Sequence, residues 1–211
     1  MGVMSDIFEL FRKIEKNDAP ARTGIEFIVA GLGNPGAKYE RTRHNAGFRA
    51  ISALYEKCGI TREKSRFESL CAEGSLDGHG VLFLRPQTYM NASGAAVGAA
   101  ADFYRIPPER VIVICDDVNL DVGRMRIRRQ GSSGGQKGVA DIITCLGSDA
   151  FPRIKIGVGK KPSPEYDLAD WVLGRFSADD EKKLADVLEK TADAVSLTVC
   201  GRIGDAMNLY N

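Results

Sequence analysis

The sequence predicts an α/β fold, a single domain in which a mixed β-sheet is flanked by helices on both faces. Three observations predict it. Short apolar runs rich in β-branched residues, Ile25 to Leu32 and Arg110 to Cys115, read as buried strands. A run of helical period, with Phe48, Ile51, Leu54, Tyr55 and Cys58 on one face, follows the first of them and stops at Gly59. Two further strand-like runs, Glu68 to Leu76 and Val81 to Arg85, meet at Asp77-Gly78, a pair suited to a tight hairpin turn.

Taken in order, residues 1–24 stand apart as an N-terminal extension. Ile7, Phe8, Phe11 and Ile14 share one face of a short amphipathic helix, and Asn17 to Gly24 with Pro20 reads as a linker to a domain over 25–211. The first strand ends in a Gly-rich turn carrying Asn34, and Thr42 is the expected N-cap of the helix that places His44 and Asn45 in its first turn. His79 is expected as a solvated residue at the hairpin tip. The strand to Arg85 runs into Pro86-Gln-Thr-Tyr-Met-Asn91, and the small residues Ala92 to Ala101 suit a helix packed closely on the sheet. Arg110 to Cys115 delivers Asp116-Asp117 at its carboxyl end. Arg124 to Arg129 alternates, with Arg124, Arg126 and Arg128 on one face and Met125 and Ile127 on the other. A Gly/Ser-rich loop over 130–138 precedes a helix from Val139 to Leu146. A strand from Arg153 to Gly159, a loop from Lys160 to Asp167 and a long amphipathic helix from Asp179 to Val199 complete the order.

Composition excludes several classes. With 211 residues, 44% hydrophobic and 27% charged, the chain can bury one full core. No apolar run approaches the roughly 20 residues of a membrane span, and the start shows no secretory pattern, so the cytoplasm is the expected compartment and no membrane partner is expected. Five cysteines, an odd number without a CxxC pair, read as reduced packing residues, so neither a metal nor a cofactor is expected. A net charge of +1 does not advertise a nucleic-acid binder, although it leaves room for a local basic patch.

Ligands of open α/β sheets collect outside the carboxyl ends of strands. Three such ends deliver Asn34, Asn91 and Asp116, with His44 just beyond the first. A histidine can take a proton from water, a carboxylate can orient its ring, and asparagine amides can hold a carbonyl or an oxyanion. The set fits ester or amide hydrolysis by activated water. No Gly-x-Ser-x-Gly elbow supplies a serine nucleophile. Gly31-x-Gly33-x-x-Gly36 matches a dinucleotide fingerprint, but Tyr39-Glu-Arg-Thr separates it from the helix and Glu56 lies inside the helical run, so the context disagrees.

Gly-Leu-Gly-Asn-Pro-Gly36, Tyr39, Thr42-Arg-His-Asn-Ala-Gly47, Pro86-Gln-Thr-Tyr-Met-Asn-x-Ser-Gly94, Asp116-Asp117 and Ser133-Gly-Gly-x-x-Gly138 together resemble the bacterial peptidyl-tRNA hydrolase family. The likeness runs from about Ile25 to the C-terminus, where Val172-Leu-Gly-Arg-Phe176 and Ala206-Met-Asn208 also fit. It implies cleavage of the ester between a peptide, or an N-blocked amino acid, and the tRNA 3′ ribose, which recycles tRNA from prematurely released chains. It implies His44 as general base, Asp116 as its orienting carboxylate, and Asn34 and Asn91 as amides on the acyl and ribose end. Tyr39 and Met90 would line the floor near the scissile bond, with Asn45 beside them. Arg128 and Lys155 would hold the acceptor-stem 5′ phosphate while the CCA end enters the site. A monomer is the family expectation.

One departure stands out. The family loop usually reads Gly-Gly-His-Asn-Gly, and here it is Gly134-Gly-Gln-Lys-Gly138, so Lys137 occupies the place of a substrate-positioning asparagine. An ammonium donates but cannot accept; Lys137 is expected to act as the donor at the oxyanion. The alternative class is an RNA-binding relative that kept the fold and lost hydrolysis, as splicing cofactors resembling this family have done. The presence of His44, Asp116, Asn34 and Asn91 together argues for catalysis.

Overall fold

The structure, a computed structural model, describes residues 24–211. The helix and linker expected over 1–24 lie outside the described residues, apart from Gly24. In chain order the elements are β1 (Ile25–Gly31), α1 (Ala46–Cys58), β2 (Lys64–Arg66), β3 (Ser69–Leu76), β4 (His79–Pro86), α2 (Ser93–Tyr104), β5 (Val111–Asp117), β6 (Met125–Arg128), α3 (Lys137–Leu146), β7 (Arg153–Gly157), α4 (Leu168–Leu173), α5 (Ala178–Val199) and α6 (Ile203–Tyr210).

The strands form one seven-stranded sheet in the order β2-β3-β4-β1-β5-β7-β6. β1 runs parallel to β4 and β5, and β5 to β7, whereas the β2-β3, β3-β4 and β6-β7 pairs are antiparallel. The sheet is therefore mixed, as expected. Side chains alternate across a strand, so β1 sends Val29 into a core with α1, α5 and α6, and Ile28 and Ala30 into a second core with α2 and α3. Every residue of β5 is buried. Helices therefore cover both faces.

Two glycines set how closely α1 approaches. A Cβ at Gly47 would fall 2.4 Å from the carbonyl oxygen of Ile114 and from the Leu32 nitrogen, and one at Gly31 would fall 2.2 Å from the Gly47 oxygen. Only hydrogen side chains allow the start of α1 to lie on the ends of β1 and β5. That contact holds the segment just before α1 against the carboxyl edge of the sheet.

Several local readings need correction. His79 is the first residue of β4 rather than the hairpin tip; it is half-buried, with Nδ1 3.2 Å from Glu26 Oε2, and the tip is Asp77-Gly78, both at positive φ. His44 and Asn45 lie in a 3₁₀ turn, Arg43–Asn45, ahead of α1; Thr42 stands at the N-cap of that turn, but its hydroxyl donates to the Tyr39 carbonyl and makes no cap bond. Cys145 and Cys200 are exposed rather than packed. Sequence reading passed over β2, α4 and α6: three polar residues, or fewer than three helical turns, carry little periodicity.

Candidate active site

The carboxyl end of β1 is extended by Leu32, whose N–H reaches the Ile114 carbonyl at 2.8 Å. The chain then leaves the sheet through Gly33-Asn34, and the amide of buried Asn45 clasps that segment. Its Oδ1 accepts from the Asn34 N–H at 2.9 Å and its Nδ2 donates to the Asn34 carbonyl at 2.9 Å. The Asn34 side chain accepts from the Met90 N–H through Oδ1 at 2.9 Å, so its Nδ2 remains as a donor. Asn45 thus shapes the segment, while Asn34 presents an amide.

His44 is held from the other side. The guanidinium of Arg43 lies 3.6 Å from the centroid of the Trp171 ring, Arg43 Nη1 donates to the Trp171 carbonyl at 3.3 Å, and the Arg43 N–H donates to the Gly174 carbonyl at 3.0 Å. Desolvation lowers the pKa of this guanidinium, which nonetheless stays charged and stacked. The turn bearing His44 is in this way fixed to α4.

His44 Nδ1 lies 2.8 Å from Oδ2 of Asp116, with the two side chains 18% and 4% exposed. A carboxylate only accepts, so Nδ1 carries a proton, and in the neutral ring the free lone pair is then on Nε2. The other carboxylate oxygen, Oδ1, accepts from Gln136 Nε2 at 3.1 Å. Gln136 also caps α3, its Oε1 accepting from the Val139 N–H at 2.9 Å, and its Nε2 lies 3.1 Å from Met90 Sδ. Next to the dyad, Asp117 pairs with Lys155, Nζ to Oδ2 at 3.1 Å. Burial works to raise the Asp117 pKa, but the Asn119 N–H and the Lys155 ammonium outweigh it and hold the carboxyl below its ordinary value.

These groups open onto a cavity of about 380 Å³. His44, Asp116, Gln136, Lys137 and Lys155 give it polar walls, and Leu168, Ala169 and Val172 of α4 give it an apolar one. Among the described residues no cluster of three or more His, Cys, Asp or Glu side chains is spaced to hold a metal ion.

Of the residues picked out by sequence, the structure gathers His44, Asp116, Lys137 and Lys155 around this cavity. Asn34 and Asn45 instead line a neighbouring cavity of about 400 Å³, connected to the first through the chain Asn34, Met90, Gln136, Asp116. Asn91 is exposed in the 3₁₀ turn Met90–Ala92 and lines neither cavity; Tyr39, with the Lys38 ammonium 4.7 Å from its ring centroid, lines neither as well. Arg128 is exposed on β6, outside both cavities. Gln136 is noted from the sequence only as the residue in place of the family's usual histidine, with no role; the structure puts it against Asp116. Its signal was a polar side chain between a Gly-Gly pair and an apolar helical run, the place of an N-cap.

Comparison with known proteins supplies the rest. A family model described as peptidyl-tRNA hydrolase matches residues 28–211. A peptidyl-tRNA hydrolase of Clostridium acetobutylicum is 46% identical over 185 residues, covering 88% of this chain and 97% of the relative. One of Agathobacter rectalis is 47% identical over 186 residues, covering 88% of this chain and 100% of the relative. The crystal structure of peptidyl-tRNA hydrolase from Acinetobacter baumannii superposes with a TM-score of 0.81 at 34% identity, over 90% of this chain and 96% of that one. With the family matched over nearly all the described residues and the sheet reproduced, this chain belongs to the peptidyl-tRNA hydrolase family.

Proposed function

We propose that the His44–Asp116 pair drives hydrolysis of the ester that joins a peptide to the 3′ ribose of tRNA, with water as nucleophile. The observation that carries this reading is the 2.8 Å contact of His44 Nδ1 with Asp116 at the wall of the cavity, which leaves Nε2 as the base. Nε2 takes a proton from water, and the hydroxide oxygen bonds the acyl carbon as the carbonyl becomes an oxyanion. The bond to the ribose oxygen then breaks, and the leaving 3′ oxygen takes the proton back from the imidazolium.

In this reading Lys137 donates to the oxyanion, and Asn34 Nδ2 and Asn91 hold the acyl and ribose end of the CCA tail. Tyr39 and Met90 form the floor near the scissile bond, and Asn45 acts by fixing the Asn34 segment. Arg128 and Lys155 receive the 5′ phosphate. The β6-β7 register pairs Arg126 with Lys155 and Arg128 with Arg153, so all four side chains leave the same face of the sheet. Phosphate contact adds affinity without base readout, as an enzyme acting on every elongator tRNA requires. Residues 25–211 form the hydrolase domain with 1–24 appended, and the protein acts as a monomer in the cytoplasm. Among the described residues no helix is long and apolar enough to cross a membrane. A purely RNA-binding role is the weaker reading, since binding alone has no use for an oriented imidazole.

The test is release of the N-blocked amino acid from an N-blocked aminoacyl-tRNA. His44→Ala is expected to lower kcat/KM by about 10²- to 10⁴-fold, and Lys137→Ala to lower kcat by about 10²-fold. Wild-type turnover by His44→Ala would sink the mechanism. Wild-type turnover by Lys137→Ala would remove only the oxyanion role of that residue.

A further inference from the structure

We propose that Gln136 is a positioning residue for the reaction: one amide locks the carboxylate of Asp116, and through it the His44 ring, to the N-terminus of α3. The proposal rests on the reading of His44 and Asp116 given above. Its basis is that both ends of this side-chain amide are engaged. Nε2 donates to Asp116 Oδ1 at 3.1 Å and lies 3.1 Å from Met90 Sδ, and Oε1 accepts from the Val139 N–H at 2.9 Å. The last contact fixes the orientation of the amide, because a backbone N–H can only be met by the oxygen.

Asp116 therefore has a donor at each oxygen, His44 at Oδ2 and Gln136 at Oδ1, and a carboxylate held at both ends cannot swing about its Cβ–Cγ bond. The backbone beneath is equally fixed, as Asp116 pairs with Ile156 inside the sheet. Met90 ties the clamp to the rest of the site. A Cβ at Gly138 would lie 2.7 Å from Met90 Sδ, so α3 presses that sulfur against the Gln136 amide, and the Met90 N–H reaches Asn34. Gln136 is thus the link through which the helix cap, the acid and the Asn34 segment share one geometry. A glutamine also has no proton to lose or gain in the working range, so the amide side of the clamp does not titrate.

The charged and titratable groups that line the cavity with the dyad are Asp117 of β5, Lys155 of β7, Lys137 of α3 and Asp167 ahead of α4; Cys115 of β5 is buried in the core behind Asp116, and the Arg43 guanidinium stacks on Trp171. Gln136→Glu changes one of the contacts and spares another. The carboxylate still accepts from Val139 and so keeps the cap, but it places a negative charge against Asp116 in place of a donor. The expected result is a kcat lowered by about 10-fold or more with KM little changed, and the acid limb of the kcat/KM profile moved to higher pH. The shift follows because a second negative charge favours the protonated imidazole. Gln136→Met, of similar volume but without amide hydrogens, is the second arm, expected to lower kcat by a comparable factor and the melting temperature as well.

A folded Gln136→Glu or Gln136→Met variant with wild-type kcat and an unmoved acid limb would overturn the clamp. His44→Ala, run in the same assay, separates the two levels. Background turnover by His44→Ala beside wild-type turnover by the Gln136 variants retains the dyad and rejects the clamp, whereas wild-type turnover by His44→Ala rejects the dyad itself.

Discussion

At the scale of a single residue, Gly47 is enclosed by backbone close to the site. A methyl group there would meet the Ile114 oxygen and Leu32 nitrogen at 2.4 Å, both backbone atoms with no rotamer to relieve the clash. Gly47→Ala is therefore expected to cost about 3 kcal/mol or more and to lower the urea midpoint, with a loss of activity because His44 lies one turn upstream. A midpoint within experimental error of wild type would show that α1 can lift without consequence. At this scale the sequence was most informative where chemistry and position coincide. Asp116 ends an apolar run and His44 opens a helical one, so residue type made both candidates, and the family resemblance paired them. The contacts of Gln136 and Asn45 were not legible: a capping amide and a backbone-clasping amide look like ordinary loop residues until their partners are known.

Elements were legible in proportion to their length and periodicity. β1, β5, α1 and α5 are long and strongly patterned, and their observed ends fall within a few residues of those expected. Short α4 carries little periodicity, yet it supplies both the apolar wall of the cavity and the Trp171 face on which Arg43 stacks. Its six residues owe their helix to Asp167, whose Oδ1 accepts from the Asp170 N–H at 3.0 Å, and to tertiary contact. At the far edge of the sheet, the side chain of Asn211 plays the part of a strand. Its Oδ1 accepts from the Ile127 N–H at 2.6 Å and its Nδ2 donates to the Ile127 carbonyl at 3.3 Å. Asn211→Ala is expected to destabilise the protein by about 1–2 kcal/mol, since both backbone groups of Ile127 lose their partner. Unchanged stability in urea, with unchanged amide exchange at Ile127, would show that water replaces the asparagine without penalty.

For the molecule as a whole, the mixed sheet with helices on both faces was readable because period two and period 3.6 alternate along the chain. The strand order was not, since nothing local says that β7 inserts between β5 and β6. That insertion has an electrostatic consequence, as it brings Lys155 beside Asp117. The folded pKa of Asp117 lies below its unfolded value of about 3.9. Its contribution to stability is therefore fully present above that value and is lost as pH falls through the folded pKa. Urea unfolding of the wild type and of Asp117→Asn should converge as the pH is lowered from neutral towards 3. A difference between them that holds constant across this range would contradict the assignment.

The two margins of the sheet share a further property. β2 is three residues long, exposed, and carries Lys64 and Arg66, while the outer side of β6 is occupied by the Asn211 amide. Neither margin offers a free, uncharged row of peptide groups onto which a strand from another polypeptide can be recruited. The same two short features that close this architecture thereby discourage templated growth into fibrils.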